Sequence, residues 1–431
     1  MNVTLSEETF QSASRDEIEA VQLHRLKATL DLVCRHVPHY QRAFRSIGFD
    51  PGDFDSIERL AQLPFTTKDD LRTNYPFGMF AVPSEQIARL HASSGTTGKP
   101  TVVGYTKGDL ETWSKLMVRA LRVAGVRPHD KIHNAFGYGL FTGGLGVHMA
   151  AEALGCTLVP VSGGMTARQV RLINDFRPDV ICATPSYLLT ITDEFGRQGL
   201  DSRKCSLRLA ICGAEPWSEG VRQEIEDRLG LSAVDVYGLS ELMGPGVAQE
   251  FACTREGPTI FEDHFLPEII DPVTGVVLPD GESGELVLTS LTREAMPLIR
   301  YRTRDLTRLL PGTASRMRRI QRIKGRSDDM MIIRGVNVFP TQIEEIVAAV
   351  PSLALQYVIE ITRPDRLDVA RVAIESRSSM DDEAGGEAAK RIEATIKDLI
   401  GVTVTVEIVA PGVLPRSEGK AVRIIDNRPK H

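Results

Sequence analysis

The sequence predicts a multidomain α/β protein. A large N-terminal part is built on a mainly parallel sheet, a β-rich stretch follows it, and a small α+β domain closes the chain. Three observations lead there. A chain of 431 residues exceeds one ordinary core. Between residues 107 and 240, helical segments alternate with short apolar runs, the rhythm of β–α units that form a parallel sheet covered on both faces. After residue 259 the pattern turns to short alternating strands, and the last ~100 residues are enough for a domain of their own.

In chain order, Ser14-Arg15-Asp16-Glu17 fits a capping box. Leu23, Leu26, Leu30 and Val33 then follow at helical spacing, predicting a helix of about five turns that Pro38 and Tyr40 end. Residues 41–89 read as short helices and loops, with an N-cap at Thr66-Thr67-Lys68-Asp69-Asp70. His91 to Pro100 is a Ser/Thr/Gly loop, and Thr101–Tyr105 continues it as a strand, a hairpin-like setting. A helix over Leu110–Val123, a strand over Lys131–Ala135 and a Gly-rich turn opening a helix to Leu154 come next. Strands are expected at Thr157–Val161, Val180–Ala183 and Leu207–Cys212, with helices around 166–175, 186–197 and 217–229.

Ligands of such sheets sit at the carboxyl ends of the strands. That singles out the loops Thr184-Pro185-Ser186, Gly213-Ala214-Glu215-Pro216 and Tyr237-Gly238-Leu239-Ser240-Glu241. From 259 to 311, Asp-Gly turns and the alternation of Val287, Thr289 and Leu291 predict a small β-barrel or β-rich subdomain. The polar junction Gly325-Arg326-Ser327-Asp328-Asp329 reads as a hinge, dividing residues 1–327 from 328–431. Beyond it, a strand at Met331–Arg334, a helix from Pro340 and strands at Tyr357–Ile361 and Val369–Glu375 are expected. A helix stopped by Gly401 and a half-buried strand marked by Val402, Val404, Val406 and Ile408 complete the domain.

A net charge of −6 argues against a general nucleic-acid binder. The basic cluster Arg316, Arg318, Arg319, Arg322, Lys324 and Arg326 reads mostly as a solvated face, with one or two members turned to an anionic substrate. None of the six Cys pairs at C-x-x-C spacing, so reduced thiols are expected, and zinc is not, although Cys253 and His264 are close in sequence. The N-terminal residues lack a leader pattern and no run reaches the ~18 apolar residues of a membrane span. A cytoplasmic protein with no membrane partner is the expectation.

The loop Ser93-Ser94-Gly95-Thr96-Thr97-Gly98-Lys99 carries the chemistry of a phosphate cradle: hydroxyls and glycine N–H groups donate to phosphate oxygens, and Lys99 adds a point charge. It is not a Walker A loop, since the G-x-x-x-x-G-K-[ST] spacing is absent and Pro100 follows the lysine. A flexible Ser/Gly/Thr turn is the alternative. Glu241 suits a Mg²⁺ ligand or an N-cap partner of Ser240; Tyr237 suits stacking on a base or a core position. Asp305 suits ribose hydroxyls or an ion pair with Arg302 or Arg304.

Together these stretches resemble the adenylate-forming enzymes of the acyl-CoA synthetase superfamily, and within it the phenylacetate–CoA ligases. Ser93–Pro100 resembles the family's phosphate loop, Tyr237–Glu241 its adenine and Mg²⁺ motif, and Tyr301-Arg302-Thr303-Arg304-Asp305 its ribose motif. Gly325–Asp329 is similar to its hinge and Arg416-Ser417-Glu418-Gly419-Lys420 to its C-terminal lysine motif. Phe261-Glu262-Asp263-His264-Phe265-Leu266-Pro267-Glu268-Ile269-Ile270 and Met330–Pro340 resemble the phenylacetate branch in particular.

The resemblance implies an adenylate-forming fold: an N-terminal domain of α/β subdomains plus a β-barrel, and a mobile C-terminal lid. It implies ATP, Mg²⁺ and CoA, an aryl acid as the substrate, and a possible homodimer. A carboxylate attacks the α-phosphorus of ATP to give an acyl-adenylate and pyrophosphate; CoA thiolate then displaces AMP. Lys420 would bridge the carboxylate and the α-phosphate, and Glu241 would hold the metal. Besides the phosphate loop, the nucleotide would meet Gly213, Ala214, Glu215, Pro216, Asp235, Tyr237, Gly238, Ser240, Asp305, Arg326 and Gly335. Tyr138, Phe141, Val236 and Pro245, with Gly213 and Ala214, are the candidates for the acid pocket, and Asp328 for the hinge. The resemblance leaves open another aromatic acid (indoleacetate, anthranilate or hydroxybenzoate type), loading of a carrier protein, and a nucleotide-binding protein without ligase activity.

Overall fold

Capping chemistry sets the first elements of the computed structural model, which describes residues 9–92, 100–327, 330–334, 336–364, 368–416 and 421–428. Ser14 and Glu17 satisfy each other's backbone N–H groups at the start of α1 (Arg15–His36). Pro38 ends that helix as expected but also begins α2 (Pro38–Ser46), where its missing N–H is one that would have no helical partner anyway. Tyr40 is therefore inside a second helix, buried, its phenol paired with the Thr66 hydroxyl at 2.8 Å. Thr67 caps α3 (Lys68–Thr73). The hairpin β1 (Arg89–Ala92) and β2 (Val102–Tyr105) is antiparallel, and α4 (Lys107–Val123) follows.

The α/β rhythm then runs β3 (Lys131–Asn134), α5 (Thr142–Leu154), β4 (Thr157–Val159), α6 (Thr166–Phe176), β5 (Val180–Ala183), α7 (Pro185–Arg197), β6 (Leu209–Gly213), α8 (Glu219–Leu229) and β7 (Ser232–Leu239). β8 (Gly244–Gln249) and β9 (Thr259–Ile260) continue it. After these come β10 (Phe265–Ile270), β11 (Val277–Leu278), β12 (Gly284–Ser290), β13 (Tyr301–Thr307), β14 (Leu309–Leu310), β15 (Arg319–Ile320) and β16 (Gly325–Arg326). Strands β4, β3, β5, β6 and β7 lie side by side and parallel, and β8, β9, β15 and β14 extend that sheet antiparallel. β5 and β6 are buried along their whole length, as strands with helices on both faces must be.

Of the two forms expected for the β-rich stretch, a barrel or a β-rich subdomain, the described strands show the second. β11, β10, β12, β13 and β16 form a five-stranded antiparallel sheet whose two edge strands are not paired with each other. The short strands β9, β14 and β15 join the large sheet instead.

After residue 330 the order is β17 (Met331–Ile333), β18 (Val336–Val338), α9 (Pro340–Ala348), β19 (Leu353–Thr362), β20 (Val369–Ser376), α10 (Asp382–Ile400), β21 (Thr405–Val409) and β22 (Ile424–Asp426). The sheet order is β21-β20-β19-β22. Gly401 ends α10 in the left-handed conformation, φ 85°. One of the two hydrophobic clusters joins α6–α8 to α9, β19 and α10, and so runs across the expected boundary near residue 328. A Cβ on Gly220 would stand 2.4 Å from that of Ala348, so glycine lets α8 and α9 pack closely. No helix among the described residues is long and apolar enough to cross a membrane.

Candidate active site

The carboxyl ends of β6 and β7 make one wall of the site. Gly213 pairs with Val236, and a Cβ there would lie 2.3 Å from the Val236 carbonyl oxygen, so the strand end tolerates no side chain. Ala214 follows at φ 72°, a left-handed conformation that turns the chain sharply. Ala214, Glu215, Pro216, Asp235, Val236, Tyr237, Gly238, Asp305 and Arg326 all line a single cavity. Three separate stretches of sequence converge there, and Trp217, Leu239, Pro258, Ile320, Arg322 and Ile323 complete the lining. Trp217 directly follows the predicted loop, and Arg322 belongs to the basic cluster; their position beside the site was the missing information. Of that cluster, Arg322 and Arg326 face the cavity, whereas Arg318 is not solvated but pairs with the buried Glu262 at 2.8 Å.

Asp305 is aimed by its strand. Burial alternates residue by residue along β13, and Arg302 and Arg304 both reach Glu285, at 2.6 and 3.7 Å. Asp305 instead accepts the Tyr237 phenol at 2.6 Å and lies 3.7 Å from the Arg326 guanidinium. The register with β12 shifts between Glu285 and Val287, and Arg304 sits at φ 69°, so β13 bulges just before the acidic residue. Burial, reinforced by the Asp305 charge, raises the Tyr237 phenol well above its ordinary range. Asp235 is raised to about 7, foremost by burial and then by Glu250; Arg322 and Arg222 oppose the shift. Both guanidiniums stand 5.1 Å from the Trp217 ring.

A second group of contacts frames the predicted phosphate loop. Residues 93–99 lie outside the described residues, as do Asp328, Gly335 and Lys420. The loop's flanks are held firmly. The Ala92 N–H donates to the Leu140 carbonyl at 3.0 Å, and the His91 ring meets the same oxygen at 3.0 Å. The Tyr105 phenol donates to the Met243 carbonyl at 3.0 Å, and its ring stacks on Trp113 with centroids 5.1 Å apart. Thr142 and Ser240 pair through their hydroxyls at 3.0 Å. The hairpin, the start of α5 and the β7–β8 turn thus meet at one point.

Glu241 is buried on that turn. Residues Tyr237 to Leu239, expected in a loop, are the end of β7, and no helix begins at Ser240 for the pair to cap. Among the described residues the Glu241 carboxylate makes no hydrogen bond or ion pair.

Of the four acid-pocket candidates, three lie away from the nucleotide cavity. Val236 lines it; Tyr138, Phe141 and Pro245 are absent from its walls. They gather instead around the first half of α5. Tyr138 packs against Gly144 and accepts from the Asn134 amide at 2.9 Å, Pro245 packs against Gly146, and Phe141 is half exposed beside Gly137.

Glu215 does more than line the cavity. One carboxylate oxygen accepts the Ser186 N–H at 2.7 Å, at the start of α7, and the other accepts the Ala421 N–H at 2.8 Å. The predicted strand-end loops at 184–186 and 213–216 are therefore joined to the C-terminal part.

Comparison with known proteins places these features in a wider set. The family model for AMP-binding enzymes matches residues 50–292, and that for the AMP-binding enzyme C-terminal domain matches residues 335–428. The chain is 55% identical over 428 residues to a phenylacetate-coenzyme A ligase of Aromatoleum evansii, covering 98% of this chain and 97% of the relative. It is 56% identical over 421 residues to one of Pseudomonas putida, covering 97% and 96%. Among solved structures it is similar to a 2-hydroxyisobutyryl-CoA ligase in the postadenylation state with R3-HIB-AMP, at TM-score 0.92 and 26% identity, covering 98% of this chain and 93% of that one. The same ligase in the thioesterification state with 2-HIB-AMP and CoA matches at TM-score 0.73 and 28% identity, over 98% and 93%.

Proposed function

The chain belongs to the phenylacetate–CoA ligases of the AMP-binding enzyme family, and we propose how its own residues divide the work of the reaction. That reaction is ATP-dependent ligation of an aryl acid, phenylacetate foremost, to coenzyme A through an acyl-adenylate, with release of AMP and pyrophosphate. The reading of the nucleotide site rests on one observation above the others: residues 214–217, 235–239 and 305–326 contribute to one cavity at the carboxyl ends of a parallel sheet.

Tyr237 and Ala214 flank the adenine, and Asp305 accepts the ribose hydroxyls while Arg326 lies beside it. Residues 93–99 hold the β- and γ-phosphates, entering from flanks already tied to the Glu241 turn. Glu241 holds Mg²⁺; its carboxylate, which has no partner among the described residues, fits a hard cation that takes few protein ligands. When bound, the ion neutralises phosphate charge. Lys420 brings positive charge to the carboxylate and the α-phosphate, two anions that must approach each other. The acid lies toward Tyr138, Phe141, Val236 and Pro245. Residues 1–327 form the adenylation domain and 328–431 the lid, with Asp328 as hinge and Gly335 in the loop brought in for the thiol step. The better match to the postadenylation state than to the thioesterification state supports the view that the lid is seated here for the first half-reaction. A cytoplasmic homodimer completes the proposal, to be checked by fractionation and sedimentation.

ATP–pyrophosphate exchange with a panel of aryl acids tests the reading. Exchange fastest with phenylacetate is expected. Exchange with no acid would overturn it, and exchange fastest with an anthranilate or hydroxybenzoate would reassign the acid.

A further inference from the structure

Lys420 lies between two anchors of different kinds. On its N-terminal side, Glu375 accepts Arg416 through both guanidinium nitrogens at 2.7 Å and also takes the N–H groups of Gly412 and Leu414, at 3.1 and 2.7 Å. All of these groups lie after residue 330, so this anchor travels with the lid. On its C-terminal side, Ala421 donates to Glu215 at 2.8 Å, across to the strand-end loop of the large sheet. Glu215 is itself fixed, because its other oxygen takes the Ser186 N–H at 2.7 Å and the turn at Ala214 (φ 72°) aims it. Two residues further on, Arg423 donates to the Leu355 and Tyr357 carbonyls at 3.0 and 3.2 Å. Its partner at 3.9 Å, Glu344, accepts the Ser218 N–H at 3.0 Å, a second link from the lid, here to the start of α8.

We infer that Glu215 is a positioning residue for the adenylation step: its carboxylate docks the backbone next to Lys420 and sets that lysine at the nucleotide, and it acts in the first half-reaction but not in the second. The inference rests on the reading of Lys420 given above. Neighbouring Cα atoms are about 3.8 Å apart, so fixing the Ala421 N–H fixes the root of the Lys420 side chain. A backbone N–H held by an ionised carboxylate is a strong, directional contact. It crosses between the two parts of the chain, so any rotation that withdraws the lid must break it.

The test uses the full chain and separates the half-reactions. Glu215→Ala, Glu215→Gln and Lys420→Ala are assayed for ATP–pyrophosphate exchange, and for thioester formation from supplied phenylacetyl-adenylate and CoA. Both Glu215 variants should lose at least about tenfold more in the first assay than in the second. In the Lys420→Ala background, Glu215→Ala should cost no further exchange activity, since there is no lysine left to place. Should Lys420→Ala keep its exchange activity, the reading of Lys420 falls. Should Lys420→Ala lose exchange while the Glu215 variants keep it, or lose it only through weaker ATP binding, this inference alone falls. Equal losses in both half-reactions would also overturn it.

Discussion

Two of the places where this molecule buries charge treat it in opposite ways. Around Glu262 and Asp263 every charge has a partner inside the chain. Asp263 takes both oxygens' worth of contact from Arg119 at 2.8 and 3.0 Å, and Glu262 takes Arg15 at 2.7 Å and Arg318 at 2.8 Å. His264, held down to about 3 chiefly by burial, stays neutral beside them. Asp235, Glu241 and Asp305 are placed differently: Asp235 is raised to about 7 and with Asp305 lines a cavity, and Glu241 has no partner among the described residues. A saturated cluster is scaffold, which here ties α1 and α4 to the stretch before β10. One that borders a cavity has room for a ligand.

Breaking the saturated cluster should have the largest effect on stability. Asp263→Ala strands Arg119 in a buried site and should cost about 3–5 kcal/mol in denaturant unfolding; a loss under about 1 kcal/mol would contradict the contrast. Asp235 should show the opposite sign. Its folded pKa lies above the unfolded value, so the native state binds more protons between about pH 4 and 7 and stability falls as pH rises through that window. Asp235→Asn should flatten the dependence and stabilise the free protein above pH 7 by roughly 2–4 kcal/mol. Thermal midpoints of both proteins from pH 5 to 8 decide the matter.

Smaller effects sharpen the comparison further. Asp305→Asn should raise the KM for ATP about tenfold and cost no more than about 1 kcal/mol of stability, because the amide oxygen still accepts the Tyr237 phenol. Arg304→Ala, one residue away but paired to Glu285 at 3.7 Å and well exposed, should change neither KM nor stability by more than about 0.5 kcal/mol. Steady-state kinetics and unfolding of the two variants side by side would expose any error in which way β13 faces.

Much of this was legible in the sequence. The capping box at Ser14, the hairpin around residues 93–99 and the β–α order from Lys131 to Leu239 follow from local spacing, and the structure has them. Asp305 is legible as a site residue only through resemblance, since Arg302 and Arg304 offer equally natural partners; in the structure β13 bulges just before it and it lines the cavity, and bulges depend on a partner strand far away in sequence. The choice between a barrel and an open β-rich sheet is closed to local reading for a similar reason: nothing local tells β9, β14 and β15 which sheet to join. Pro38 carries two signals at once, a stop for one helix and a start for the next, and the buried Tyr40 settles which follows. The link from Glu215 to Ala421 spans 206 residues of sequence and leaves no spacing to read.

The central claim is that the open cluster is a nucleotide site to which the lid delivers Lys420. A crystal structure of the protein with phenylacetyl-adenylate bound tests it most directly. The account predicts the ribose hydroxyls on Asp305, the Ala421 N–H still on Glu215, and the Lys420 ammonium within about 3 Å of the α-phosphate or acyl oxygens. An adenylate seated elsewhere, or a Lys420 unable to reach it while Ala421 keeps its bond to Glu215, would contradict it.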